Sequence, residues 1–169
     1  MKRYCVDMSG LSNPASEEVA PQDIHVTLWA RIHALIENGD VAVTEEIFEE
    51  LCHIPAPLGD CIKDNKKSLL LEVDDDSWDA AAYIEHATRM QDDHQPYIRE
   101  FNGGGKGTVG LNDISIVALG KALKLPVVSM EKRKAHQTEF KRTIPDICDA
   151  ENVTHMTFNE FLRAEGITL

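Results

Sequence analysis

Residues 111–131 read Leu-Asn-Asp-Ile-Ser-Ile-Val-Ala-Leu-Gly-Lys-Ala-Leu-Lys-Leu-Pro-Val-Val-Ser-Met-Glu. Asn112 is suited to cap a helix that runs from Asp113 to Lys124. The apolar residues Ile114, Ile116, Val117, Ala118, Leu119, Ala122 and Leu123 lie all round that helix rather than along one stripe, which predicts burial on every side. Leu125 to Met130 then reads as a short buried strand, and Glu131 follows it.

The same alternation extends outward. Arg3 to Asp7 reads as a short strand ending on an acid, and Met8 to Gln22, rich in Ser, Gly, Asn and Pro, as a loop. Asp23 is placed to cap a helix from Ile24 to Glu37, whose apolar face is Val26, Trp29, Ile32, Leu35 and Ile36. Val41 to Val43 is a buried strand. Thr44 caps the next helix, with Glu45 and Glu46 in its first turn, where the helix dipole favours acids. Pro55 to about Gln91 carries a weaker pattern, with Ser77 placed to cap a helix from Trp78 to Met90. Asn102 to Gly107 is a glycine-rich loop, Val153 to Met156 another strand, and Thr157-x-x-Glu160 a capping box that opens a final helix. Strands alternating with helices predict an α/β fold on a mostly parallel sheet, in a single domain spanning 1–169.

Composition narrows the function. The hydrophobic fraction is 43% and the charged fraction 27%, ordinary for a globular protein. No apolar run approaches the roughly 18 residues of a membrane span, and the N-terminus lacks the apolar stretch of a secretory signal. Four cysteines without a Cys-x-x-Cys pair, and seven histidines without a His-x-x-x-His pair, give no zinc signature. The expectation is a cytoplasmic protein with reduced thiols. A net charge of −12 weighs against a simple nucleic-acid binder. A metal-dependent nuclease is a partial exception, because it gathers carboxylates to hold cations that in turn face phosphate.

Ligands of open parallel sheets bind beyond the carboxyl ends of the strands. Asp7 and Glu131 follow two such ends. Asp113 opens the buried helix, whose N-terminus favours its ionised form. Among Glu45, Glu46, Glu49 and Glu50, helix geometry puts Glu50 nearest the apolar face formed by Ile47, Phe48 and Leu51. Each acid taken alone also fits a solvated helix face or an ordinary helix start. The one dense basic cluster, Lys132, Arg133, Lys134, His136, Lys141 and Arg142, fits either a phosphate-backbone contact or a solubilising loop. Glu72, Asp74, Asp75, Asp76 and Asp79 lack the ligand spacing of a calcium loop.

Four segments in order carry a resemblance: Tyr4-Cys-Val-Asp7-Met-Ser9, Phe48-Glu-Glu50-Leu51, Leu111-Asn-Asp113-Ile-Ser-Ile-Val-Ala-Leu-Gly-Lys-Ala122 and Val127-Val-Ser129-Met-Glu131. Together they resemble the PIN domain, and are most similar to a bacterial and archaeal PIN-like subfamily known mainly as a domain of unknown function. Arg142-Thr-Ile-Pro145-Asp-Ile-Cys148 is similar to a further segment of it. The resemblance implies a three-layer α/β/α sandwich and Mg²⁺- or Mn²⁺-dependent cleavage of RNA, often as the toxin of a toxin–antitoxin pair. By position, Asp7, Glu50 and Asp113 match the three core acids. Glu131 stands where many members have Asp, which leaves direct or water-mediated metal contact open. Ser9 and Ser129 match hydroxyl residues that support the metal site. The implied partners are an RNA substrate, a small DNA-binding antitoxin and a second copy of the chain. Two other functions stay open: a non-catalytic interaction module on the same fold, and another metal-dependent phosphoesterase. The second has a specific deficit, since Asp7-Met8-Ser9 lacks the second acid of the Asp-x-Asp pattern common in such phosphatases.

Overall fold

The computed structural model describes residues 1–104, 108–134 and 141–168. The chain folds as an α/β/α sandwich around one four-stranded, all-parallel sheet. Its strands are β1 (Tyr4–Val6), β2 (Val41–Ala42), β3 (Val127–Val128) and β4 (His155–Met156), in the order β2-β1-β3-β4. Cys5 pairs with Ala42 on one side and Val127 on the other. The helices are α1 (Met8–Ser12), α2 (Val26–Glu37), α3 (Glu45–Leu51), α4 (Leu58–Asp64), α5 (Lys66–Leu69), α6 (Ala80–Asp93), α7 (Leu111–Leu123), α8 (Ile144–Glu151) and α9 (Phe158–Ala164). Two short 3-10 turns, Gln95–Tyr97 and Arg99–Phe101, link α6 to α7.

Every residue of β1, β2 and β3 is buried, so helices cover both faces of the sheet. Tyr4 meets Phe161 of α9 edge-on, and Trp29 of α2 stacks on Phe158 of α9, which puts α2 and α9 on one face. Cys5, the alternate residue of β1, faces the other way, towards Cys148 of α8. There α8 packs on α7, which is buried from Ile114 to Gly120 as its all-round apolar pattern predicts. One continuous apolar core runs from Tyr4 to Ile167. The four cysteines are free thiols, Cys5 and Cys148 buried and the other two half-buried. Among the described residues, no helix is long and apolar enough to cross a membrane.

Several boundaries differ from expectation for local reasons. Met8 to Gln22 is not all loop. The Asp7 carboxylate accepts from the backbone N of Ser9 and starts α1. Asp23 caps nothing; α2 starts at Val26 behind His25, with Val26 itself 62% exposed and Leu28 taking its place in the core. Asp79 rather than Ser77 caps α6, accepting from Ala82 N at 2.9 Å. α7 begins behind Gly110, before Asn112, which frees the Asn112 side chain for another partner. The weak stretch after Pro55 contains α4 and α5, and the segment after Arg142 forms α8, where the sequence marks no element. Thr44 and the Thr157/Glu160 box cap α3 and α9 as expected.

Candidate metal-binding active site

From β1 the chain passes to β2 on one side, while β3 joins on the other, so the crevice at the carboxyl ends of β1 and β3 is the switch point of the sheet. Asp7 sits there immediately after β1, its backbone N donating to Val128 O at 2.9 Å. Ser129, Met130 and Glu131 leave β3 beside it. Gly10 lets α1 approach closely: a Cβ at this position would lie 2.7 Å from Val128 O, so any other residue would push α1 and β3 apart. Thr44, at the end of β2, hydrogen bonds Ser115 of α7 through its hydroxyl at 3.0 Å, joining the starts of α3 and α7. That junction places Glu50 and Asp113 on the same side of the sheet.

Each of the four acids is anchored through one oxygen. Asp7, 4% exposed, accepts at Oδ2 from the Ser9 backbone N at 3.0 Å and from Ser9 Oγ at 2.6 Å. Glu50 accepts at Oε1 from Asn112 Nδ2 at 2.6 Å. It is half-buried while Glu45, Glu46 and Glu49 are exposed, as the helix geometry predicted. Asp113 accepts at Oδ2 from Gly110 N at 2.7 Å, and Glu131 at Oε2 from Ile144 N at 2.7 Å.

The electrostatics bind the four together. Burial pushes the Asp7 carboxyl up, against hydrogen bonds from Ser9 and Met8, and the charge of Glu50 adds to the rise. Burial pushes Asp113 up to about 7; the Gly110 N–H opposes this, Asp7 and Glu131 reinforce it, and the Arg99 guanidinium opposes it. Burial likewise raises Glu131 against the Ile144 N–H, with Asp7 raising it and Arg99 and Lys134 lowering it. Like charges in a sheltered crevice thus destabilise one another's ionised forms. Such an arrangement fits a hard divalent cation, which takes carboxylate oxygens and supplies the missing positive charge. Among the described residues, no three Asp, Glu, His or Cys side chains stand so that they could hold a metal ion together as placed, so a cation here requires the acids to draw closer.

Both expected support residues touch the acids or their backbone. Ser9 Oγ donates to Asp7 and accepts from Met130 N at 3.2 Å, tying the first acid to the end of β3. Ser129 Oγ accepts from Glu131 N at 3.3 Å and pairs with His155 Nε2 at 2.8 Å. The basic cluster is more divided. Arg133 forms a two-bonded ion pair with Asp149, at 2.7 and 2.9 Å. Arg142 lies over the Tyr97 ring at 4.5 Å from its centre. Lys132, Lys134 and Lys141 are exposed, and of these Lys134 acts on Glu131. His136 lies outside the described residues, as do residues 105–107 of the glycine-rich loop.

Two site residues escape the sequence reading. Arg99 reaches to 3.9 Å from Asp113 Oδ2 and is the cation felt by both Asp113 and Glu131. Asn112 holds Glu50. Neither carries a local signal: Arg99 sits in a featureless stretch, and Asn112 looks like a helix cap. No curated protein matches the chain. A family model described as "Domain of unknown function (DUF4411)" matches residues 4–169, and the chain belongs to that family.

Proposed function

We propose that the chain is a divalent-metal-dependent ribonuclease, with Asp7, Glu50, Asp113 and Glu131 as the residues that would hold Mg²⁺ or Mn²⁺. One observation carries this reading: at the switch point of the sheet, Asp7, Asp113 and Glu131 are sheltered from water and raise one another's proton affinity, and among the described residues the cations that oppose the rise are Arg99 and Lys134. Perturbed acids without matching cations are what a metal-assisted site requires before its metal binds. The family resemblance of the four segments points the same way.

When bound, the cation lowers the pKa of water at the site and offsets charge on the phosphate. The chain's own residues supply orientation. Ser9 and the Met8 and Ser9 N–H groups fix Asp7; Asn112 fixes Glu50; Gly110 N fixes Asp113; Ile144 N fixes Glu131. Arg99, half-exposed beside Asp113, is placed to meet a phosphate oxygen. In the reaction water adds to phosphorus, one P–O ester bond breaks, and the leaving oxygen takes up a proton.

The test is cleavage of mixed-sequence RNA with and without Mn²⁺. The wild type is expected to cleave only with the metal, and Asp7→Asn to abolish cleavage while its circular dichroism stays native. Metal-dependent cleavage that survives both Asp7→Asn and Asp113→Asn overturns the assignment.

A further inference from the structure

A cavity of about 430 Å³ opens beside Glu50 and Met8, the residue that follows Asp7, and is walled also by Ser12, Ala15, His53 and Ile54. We infer that it is the subsite for one nucleobase of the RNA strand cleaved at the acid cluster. The inference rests on the nuclease reading and adds to it a place where the base next to the scissile phosphate is held.

Continuity is the first argument. Met8 directly follows Asp7, and Glu50 belongs both to the acid set and to the cavity wall. A group seated in the cavity is therefore spatially close to anything seated on Asp7 and Glu50. A nucleobase joined through its ribose to the reacting phosphate meets that requirement.

The lining is the second argument. Its volume falls within the roughly 300–1,000 Å³ of small-ligand sites, which join apolar walls to a few polar groups. Met8 offers a thioether, a soft surface favourable to aromatic rings, and Ile54 and Ala15 add apolar contact. The polar groups are underused. Among the described residues, Ser12 Oγ donates to Met8 Sδ at 2.7 Å, a weak acceptor, and lies 3.4 Å from Asn13 Oδ1. His53 is exposed, and its imidazole has no partner among the described residues. A ring able to stack and to hydrogen bond, set beside a hydroxyl with a poor partner, suits the face and edge of an unpaired base. Single-stranded RNA is read through those two features.

The test uses the full chain and short single-stranded RNAs that differ only at the base flanking the cleaved bond. His53→Ala is expected to narrow the spread of kcat/KM across the four bases about tenfold. Ser16→Trp, at an exposed position on the cavity rim, is expected to raise KM about tenfold and leave kcat within about twofold. Base preference and KM unchanged in both variants overturn the subsite while leaving the ribonuclease standing. Should the wild type cleave no RNA with Mn²⁺, the ribonuclease reading falls. The cavity is then judged by NMR titration of the metal-free protein with the four nucleoside monophosphates. Amide shifts at Ser12, Ser16 and His53 that vanish in Ser16→Trp support the subsite, and their absence with all four nucleotides rejects it.

Discussion

Two acids in this molecule, one buried and one half-buried, have opposite fates. Glu151, at the end of α8, is 5% exposed, yet Arg89 grips it with two hydrogen bonds at 3.1 and 2.7 Å. His94 lies 2.7 Å from its Oε1, and Lys121 is 3.3 Å from its Oε2. Burial alone would raise its pKa, but these partners hold it down to about 2. Asp113, at the other end of α7, is pushed up to about 7, with the Gly110 N–H and the more distant charge of Arg99 for relief. Both carboxylates left water for the interior. One was given cations from α6 and α7 and became a joint between helices; the other was given neighbours of its own sign. A carboxylate kept where its charge is opposed is a cost to the fold, and such costs concentrate at sites of chemistry.

The sharpest way to break this contrast is to neutralise each acid. Asp113→Asn is expected to lower metal-dependent RNA cleavage on the order of a thousandfold, the scale of losing a principal electrostatic element. Its melting temperature in EDTA should stay level or rise, because Asn still accepts from Gly110. Glu151→Gln should do the reverse. It leaves the part-exposed Arg89 and Lys121 facing a neutral amide and costs about 2 kcal/mol, a fall of roughly 4–8 °C for a domain of this size, with cleavage kept at permissive temperature. Equal melting temperatures for the two variants would erase the distinction.

The pH dependence of stability separates the two acids by sign. The folded-state pKa of Glu151, about 2, lies below its ordinary 4.5. Its contribution is complete above about pH 4.5 and is lost as the pH falls towards 2. The folded-state pKa of Asp113, about 7, lies above its ordinary 3.8, so its ionisation opposes folding. That penalty is absent below about pH 3.8 and complete above about 7. Metal-free protein should therefore gain stability from Asp113 as the pH falls from 7 towards 4, then lose it through Glu151. Melting curves across this range in EDTA check both limbs, and Asp113→Asn should flatten only the first.

Smaller changes refine the picture. Ser9→Ala removes the hydroxyl that links Asp7 to Met130 N, and should weaken Mn²⁺ binding about 10–100-fold, measurable by calorimetry. Arg99→Ala should reduce the slope of log affinity for RNA against log salt by about one, while Arg133→Ala, already committed to Asp149, should change it less. Equal slopes for the two variants would remove Arg99 from the substrate path.

What the sequence discloses follows the range of each interaction. The all-round apolar pattern of α7, the Thr44 cap and the Thr157/Glu160 box are legible because their causes lie within a few residues. The choice of Glu50 among four glutamates is legible for the same reason. Asp7 shows the limit of such reading: as a strand-end acid it points to a site, but its second role in starting α1 depends on the chain turning back at Ser9. Asp79 outcompetes Ser77 because α6 begins two residues later than the apolar pattern implies. Arg99 and the Asn112–Glu50 bond are tertiary pairings, and nothing in their neighbourhoods announces the partner. The sheet order belongs with them, since short strands of two or three residues carry no mark of which neighbour they will choose.

That order also sets a schedule. β1 lies between β2 and β3, and Cys5 must wait for Val127 before its second edge is paired. On the ribosome, Asp7 and Glu50 emerge first, while Asp113 and Glu131 follow only after α6 has been made. A nascent or prematurely ended chain thus holds two of the four acids on an unfinished sheet. The site proposed for this protein is therefore incomplete until the chain through Glu131 has been made.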